Sequence, residues 1–134
     1  MGTNNAEFPP YANDADNVKL VPLKIAVAEN KWHEKLAVEN PGPLPVLYKL
    51  KATNNKRCLI HDCAGLIKPK DTVEIMLEST DEQLKTGDGL LLVYTQYTAV
   101  TGNQPVNAFV AWQRAKKLDI VTKTKSIALV KADK

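Results

Sequence analysis

Short stretches of alternating apolar and polar residues recur along this chain, and residues that favour turns separate them. The clearest stretch covers residues 46–53. Its inward side is expected to carry Val46, Tyr48 and Leu50, and its outward side Leu47, Lys49 and Lys51. Alternation with a period of two is typical of a β-strand that buries one face. Because 134 residues suffice for one domain, the pattern predicts a single all-β domain.

Seven such strands are predicted, at residues 18–29, 33–39, 46–53, 58–60, 73–78, 90–97 and 126–131. Turn signals lie between them, including Asn40-Pro41-Gly42-Pro43 and Pro69-Lys70-Asp71. Short strands at this spacing favour an immunoglobulin-like antiparallel β-sandwich.

One segment departs from the period of two. Phe109, Trp112 and Ala115 recur at three-residue spacing within residues 107–117, and Asn107 stands where a helix N-cap would be. This spacing predicts one short helix, with Phe109 and Trp112 in the core.

The chain divides into three parts by sequence pattern. Residues 1–17 are polar and aperiodic, which predicts a flexible N-terminal tail, residues 18–131 form the sandwich domain, and residues 132–134 form a C-terminal tail. Within the first tail, only Phe8, Pro9, Pro10 and Tyr11 could dock on an apolar surface. Removal of residues 1–17 is therefore expected to leave the stability of the fold nearly unchanged.

Several classes of protein fit the sequence poorly. The longest apolar runs fall short of the ~20 residues of a membrane span, no signal peptide is recognisable, and two cysteines are too few for a disulfide framework. These features predict a cytoplasmic protein. Two histidines in different settings and six dispersed glycines indicate neither a catalytic centre nor a phosphate loop. The spacing of Trp32, Phe109 and Trp112 suits a core better than a nucleic-acid surface.

A metal site deserves separate consideration, because Cys58, His61 and Cys63 fall within six residues. Structural zinc requires four ligands, and no second cluster supplies them. We therefore expect Cys58 in the core, His61 at the surface, and neither a metal nor a cofactor.

The stretch Lys49–Leu77, KLKATNNKRCLIHDCAGLIKPKDTVEIML, resembles the signature of the major sperm protein domain family. The ordered features are a strand that ends in Lys51-Ala52-Thr53, then Arg57, the short strand 58–60, Ala64-Gly65, and Pro69 before an alternating strand. The resemblance covers about residues 18–131. It implies an immunoglobulin-like sandwich that acts by protein–protein contacts.

The resemblance also implies a candidate partner-binding face. In the adaptor branch of the family, an acidic peptide with two aromatic residues lies against the strand that ends in K-T-T. Lys51 and Thr53 match that strand, Lys125 matches a late lysine, and Leu90 and Leu92 stand where the branch has lysine and methionine. The candidate face comprises Lys49, Lys51, Thr53, Leu92 and Lys125. The alternative is that Lys49 and Lys51 form only the solvent face of a strand.

The resemblance leads to two functional hypotheses. The first is a structural or accessory component of the sperm-type cytoskeleton, which binds major sperm protein filaments or related domains and is compatible with a homodimer. The second is a soluble adaptor for acidic, FFAT-like peptide motifs. A lone domain without a membrane anchor, together with an extended N-terminus, favours the accessory protein.

Overall fold

Two β-sheets pack face to face in the computed structural model, which describes residues 8–9, 18–22, 24–28, 30–98 and 107–131. The first sheet has four strands, in the order β1 (Lys19–Val21), β3 (His33–Glu39), β7 (Thr72–Glu78) and β5 (Leu59–Ile60). The second has five, in the order β2 (Lys24–Val27), β9 (Lys123–Lys131), β8 (Gly89–Gln96), β4 (Val46–Ala52) and β6 (Ala64–Ile67). One helix, α1 (Ala108–Lys117), lies between β8 and β9 in the chain. The immunoglobulin-like sandwich is confirmed.

Alternation places the core between the sheets. Leu36 of β3 pairs with Ile75 of β7, and Leu50 of β4 pairs with Leu92 of β8. All four side chains are buried in one cluster. Because successive residues of a strand point to opposite sides, the charged neighbours of these residues face outward.

The expected single strand over residues 18–29 is in fact two strands in different sheets. β1 pairs antiparallel with β3, whereas β2 pairs parallel with β9, so the sandwich is not wholly antiparallel. The chain changes sheets at Pro22, which has no N–H to donate to a ladder. Leu23 and Glu29, which belonged to the expected strand, lie outside the described residues.

The β6 strand was also missed. Residues 64–67 were expected to form a bend followed by two apolar residues, but they pair with β4 from Val46↔Ile67 to Lys49↔Ala64. Gly65 makes this pairing possible, because a Cβ there would lie 2.8 Å from the Tyr48 hydroxyl oxygen. The split at Pro22 and this strand raise the count among described residues from about seven to nine.

The helix begins where the sequence predicts. The Asn107 side chain accepts hydrogen bonds from the backbone N–H groups of Phe109 and Val110, at 3.0 and 3.2 Å, which confirms the N-cap. The prediction that Phe109 is a core residue is wrong, because 63% of its surface is exposed. The helix instead buries Ala108, Ala111, Trp112 and Ala115.

A second apolar cluster forms where α1 covers the outer face of the five-stranded sheet. Leu47 was expected to point to solvent but is fully buried there, together with Val93 and Tyr97. Two-residue alternation correctly assigned Leu47 to the outer side of β4, and the covering helix explains its burial.

Phe8 belongs to this second cluster, although residues 1–17 were expected to be a loose tail. Its side chain is 3% exposed, and its ring centroid lies 5.1 Å from that of Tyr97. The Gln96 side-chain amide also donates to the Pro9 carbonyl oxygen at 3.0 Å. The expectation is therefore wrong at Phe8 and Pro9. Pro10, Tyr11 and residues 132–134 lie outside the described residues, and the domain boundaries stay predictions.

Asn40 is a fully buried polar residue that connects the two sheets. It follows β3 in the first sheet. Its side-chain amide donates to the carbonyl oxygens of Leu44, Ile67 and Lys68, at 2.8, 3.1 and 3.2 Å. Its side-chain oxygen accepts from the Gly42 N–H at 3.1 Å. Buried polar groups need such partners, so this amide fixes the 40–45 turn against the end of β6.

We expect Phe8→Ala to lower the free energy of unfolding by roughly 3 kcal/mol, because it removes a buried ring from a packed cluster. Chemical denaturation monitored by circular dichroism measures this change. Phe109→Ala is the matched control, since its ring is largely exposed and should cost less than about 0.5 kcal/mol. Equal stability of the Phe8 variant and the wild type would contradict the contact.

We expect Asn40→Asp to lower the free energy of unfolding by roughly 3 kcal/mol, because a carboxylate at this buried position cannot donate to the carbonyl oxygens of Leu44, Ile67 and Lys68. The matched control is Asn54→Asp. The Asn54 side-chain oxygen accepts from the Lys56 N–H at 2.8 Å, a role that aspartate can retain. Thermal unfolding of both variants tests this, and similar losses for the two would show that the Asn40 amide hydrogens are dispensable.

Candidate partner-binding groove

The helix α1 lies against β4 and β6 because its buried side is small and carries one large anchor. Three of its buried residues are alanines, which let the helix approach the sheet closely. The fourth is Trp112, whose indole N–H donates to the Tyr48 carbonyl oxygen at 3.0 Å. This hydrogen bond fixes the helix at the Tyr48 position of β4.

The end of α1 also has a defined geometry. The Ile120 N–H bonds to the Ala115 carbonyl oxygen at 3.0 Å, and the Asp119 N–H bonds to the Lys116 carbonyl oxygen at 3.1 Å. These two bonds form a Schellman motif. Asp119 occupies its left-handed position, with φ of 55°, where glycine is usual. Arg114, Lys116 and Lys117 lie in the last turn, where cations complement the helix dipole.

A groove of about 530 Å³ lies beside this helix, and we call it the α1–β4 groove. Its apolar lining comes mainly from Ala64, Val93, Phe109, Trp112 and Ile120. Its charged lining consists of Lys49, Lys51, Lys116 and Asp119. The groove therefore combines an aromatic and aliphatic wall with an excess of positive charge.

Lys49 lies close to two other positive charges in this groove, those of Lys51 and Lys116. The Lys49 ammonium nitrogen lies 4.6 Å from the centre of the Trp112 ring, a cation–π distance. Partial burial lowers the pKa of Lys49, and the positive charges of Lys51 and Lys116 lower it further. An anionic group placed among the three lysines would relieve this repulsion.

Two of the five predicted site residues, Lys49 and Lys51, line the groove. Thr53 lies one residue beyond β4, and its hydroxyl oxygen accepts from the Gly89 N–H at 3.0 Å. The Thr53 hydroxyl is thus already part of an internal hydrogen-bond arrangement at the end of the strand.

Leu92 was predicted to lie on the partner-binding face, and this is wrong. It is fully buried, pairs with Leu50 and belongs to the core between the sheets. Leu90 is buried in the same cluster. Because side chains alternate, the β8 residues beside the predicted lysines are Leu91, opposite Lys51, and Val93, opposite Lys49.

Lys125 is also misplaced in the prediction. It pairs with Leu92, and on β9 it shares the inward side with the buried residues Ile127 and Leu129. Lys125 therefore projects from the opposite side of the sheet to Lys49 and Lys51. On the groove side, β9 places Thr124 opposite Val93 and Ser126 opposite Leu91.

The sequence prediction missed the helical wall of the groove. Phe109, Trp112 and Lys116 are spaced at three and four residues, so they share one side of a helix. This spacing could have placed Lys116 beside an aromatic surface. It could not have shown that this side lies next to Lys49.

Among the described residues, the cysteines and histidines do not form a metal-binding arrangement. Both cysteines are free, and burial raises the pKa of the Cys58 thiol to about 11. His33 and His61 each approach the Glu78 carboxylate, with Nε2–O distances of 3.0 and 3.4 Å. No group of three potential ligands is assembled in the described part of the chain. The absence of a metal stays a prediction.

Two packed sheets with a lysine-lined groove beside a short helix define a β-sandwich interaction domain. The chain belongs to the MSP (Major sperm protein) domain family, whose model matches residues 17–117. MSP domains are protein-interaction folds, and the resemblance noted in the sequence is confirmed. Among the described residues, no helix has the length and apolar character needed to cross a membrane.

Comparisons with known proteins agree with membership of the MSP domain family and with the sandwich fold. The vesicle-associated membrane protein-associated protein scs2 of Schizosaccharomyces pombe is 36% identical over 52 residues, which cover 37% of this chain and 14% of that protein. The Caenorhabditis elegans MSP family member WR4 has a TM-score of 0.69 at 10% identity, over 86% of this chain and 97% of WR4. SSP-19 from the same species has a TM-score of 0.66 at 17% identity, over 84% and 98%. The two structural likenesses establish the fold.

A partly buried ion pair between Arg57 and Asp88 supports the strand end that carries Thr53. The Arg57 guanidinium donates to both carboxylate oxygens of Asp88, at 2.7 and 3.0 Å, and the Lys85 N–H adds a bond of 2.9 Å. The hydrogen bond from Arg57 is the main cause that holds the pKa of Asp88 below its usual range, whereas burial opposes it.

This ion pair predicts a pH dependence of stability. Because the pKa of Asp88 is lowered in the folded state, its contribution is complete above the unfolded-state pKa and is lost as the pH falls through the folded-state pKa. We expect Asp88→Asn to lose less stability on acidification than the wild type. Denaturant unfolding between neutral and acidic pH measures both slopes. Asp81→Asn, at an exposed position, is the control, and identical slopes for wild type and Asp88→Asn would contradict the prediction.

Proposed function

We propose that this chain is a non-catalytic interaction domain that binds an acidic segment of a protein partner in the α1–β4 groove. The observation that carries the proposal is the convergence of Lys49, Lys51 and Lys116 on a groove lined by Phe109 and Trp112. Cations arranged around an aromatic and aliphatic wall suit a segment that carries both carboxylates and apolar side chains.

The electrostatics of the free protein support this choice of ligand. Partial burial is the main cause that lowers the pKa of Lys49, and repulsion from Lys51 and Lys116 lowers it further, so the unbound groove holds unfavourable positive charge. Carboxylates of a bound segment would replace repulsion with attraction. Since Lys51 is exposed, this attraction should weaken as salt is added.

Leu90 and Leu92 stand where the adaptor branch of the family has lysine and methionine, but this difference does not count against peptide binding. Both side chains lie in the core, so neither is placed to contact a ligand in the groove. Lys116 of α1 supplies a third cation from the helix side. The partial match to a vesicle-associated membrane protein-associated protein agrees with an adaptor role.

A second candidate is an accessory component of the MSP-based sperm cytoskeleton, located in the cytoplasm and bound to MSP filaments or related MSP domains. A separate observation favours it. Val110, Leu118 and Val121 are exposed by 51, 45 and 90%, outside the lining of the groove. Exposed apolar residues on and just after one helix suit contact with another protein.

One experiment with two baits separates the candidates. The purified chain is titrated with an acidic peptide that contains two aromatic residues and is sedimented with assembled major sperm protein fibres. We expect peptide binding, and we expect Lys51→Glu to weaken it by about tenfold, because the change removes one attraction and adds one repulsion. Lys19→Glu, exposed on β1 of the other sheet, should bind as the wild type does.

The outcomes assign the function. Peptide affinity that is equal in the Lys51 and Lys19 variants would contradict the groove as the binding site. Co-sedimentation with fibres in the absence of peptide binding would favour the cytoskeletal candidate. Failure with both baits would contradict both proposals.

A further inference from the structure

The charges in the α1–β4 groove are not uniform along its length. Its three lysines are accompanied by one carboxylate, that of Asp119. Lys49 and Lys51 project from β4 and Lys116 from the last turn of α1, whereas Asp119 lies just after the helix end. The distribution of charge therefore depends on where Asp119 lies relative to the lysines.

Strand register locates the two ends of the groove. The connection that contains Asp119 leads into β9 at Lys123, which pairs with Tyr94, and Tyr94 pairs with Tyr48. The connection thus reaches the sheet level with Tyr48. Lys51 lies three residues further along β4, which is about 10 Å at the usual rise of a strand. Lys51 also lines a neighbouring pocket beside the β4–β5 turn, so it marks the end of the groove away from Asp119.

The neighbours of Lys49 agree with this arrangement. The charges that shift its pKa are those of Lys51 and Lys116, which places Lys49 within the positive part of the groove. Asp119 is exposed and lines the groove, and its backbone adopts a left-handed conformation. Glycine would adopt that conformation more easily, yet only a residue with a carboxylate gives this end of the groove a negative charge.

We infer that Asp119 sets the direction and sequence preference of the bound segment. This inference rests on the proposed function and extends it. The acidic residues of the partner lie over Lys49 and Lys51 of β4, and the residue that reaches Asp119, which lies beside Lys116 at the helix end, is basic. An acidic residue at that end is repelled, so the groove selects a segment with opposite charges at its two ends.

Designed peptides test this inference directly. The probe is a peptide of the acidic, two-aromatic type, prepared with Lys, Ala or Glu at its N-terminal flank and, in a second set, at its C-terminal flank. We expect one flank to respond, with Lys binding roughly threefold more tightly than Ala and Glu binding more weakly, as for an exposed ion pair at low salt. The flank that responds gives the direction of the bound segment.

Three variants identify the residue responsible. Asp119→Asn removes the charge and keeps a residue that tolerates the left-handed conformation, so the flank preference should disappear. Asp119→Lys should reverse it, provided that thermal unfolding shows a folded protein. Asp62→Asn is the matched control, because Asp62 is also an exposed aspartate with positive φ, at 54°, but does not line the groove. It should preserve the preference.

The results distinguish this inference from the proposed function. If the wild type binds none of the peptides, the proposed function is contradicted and the role of Asp119 falls with it. If the peptides bind but neither flank responds, or the preference survives in Asp119→Asn, only the inference is overturned. A preference lost in both the Asp62 and the Asp119 variants would also overturn it.

Discussion

The buried amide of Asn40 is the interaction on which the relation between the two sheets depends. Its donors reach the carbonyl oxygens of the turn before β4 and of the end of β6, while its own backbone continues β3 of the other sheet. Apolar contacts between sheets are not directional and tolerate some sliding. A fully satisfied buried amide is directional, so it fixes how β4 enters the second sheet and therefore where Lys49 and Lys51 lie.

The position of α1 follows from this placement of β4. Trp112 is hydrogen-bonded to the backbone of β4 at Tyr48, and its ring lies beneath the Lys49 ammonium. The tryptophan thus fixes the helix and forms part of the groove wall. The packing of α1 on the sheet buries Leu47 and brings Lys116 close to the lysines of β4. A structural anchor and a candidate binding surface share one side chain.

The candidate site was only partly predictable from the sequence. Alternation correctly placed Lys49 and Lys51 on the outer side of β4. The same rule, applied to β8 once its register is known, puts Leu91 and Val93 on that side and Leu92 in the core. Matching by similarity could not supply this register, and a shift of one residue exchanges the faces of a strand. Lys125 was misplaced for the same reason.

The sequence by itself determined the class of fold, the ends of several elements and the family. β3, the start of β4 and the Asn107 cap were all correctly predicted, because alternation, turn residues and capping are local properties. Tertiary structure decided the change of sheets at Pro22, the burial of Phe8 and Leu47, and the meeting of Lys116 and Asp119 with Lys49. These features depend on contacts between residues far apart in the chain, and local patterns specify which side of an element is apolar without specifying what covers it.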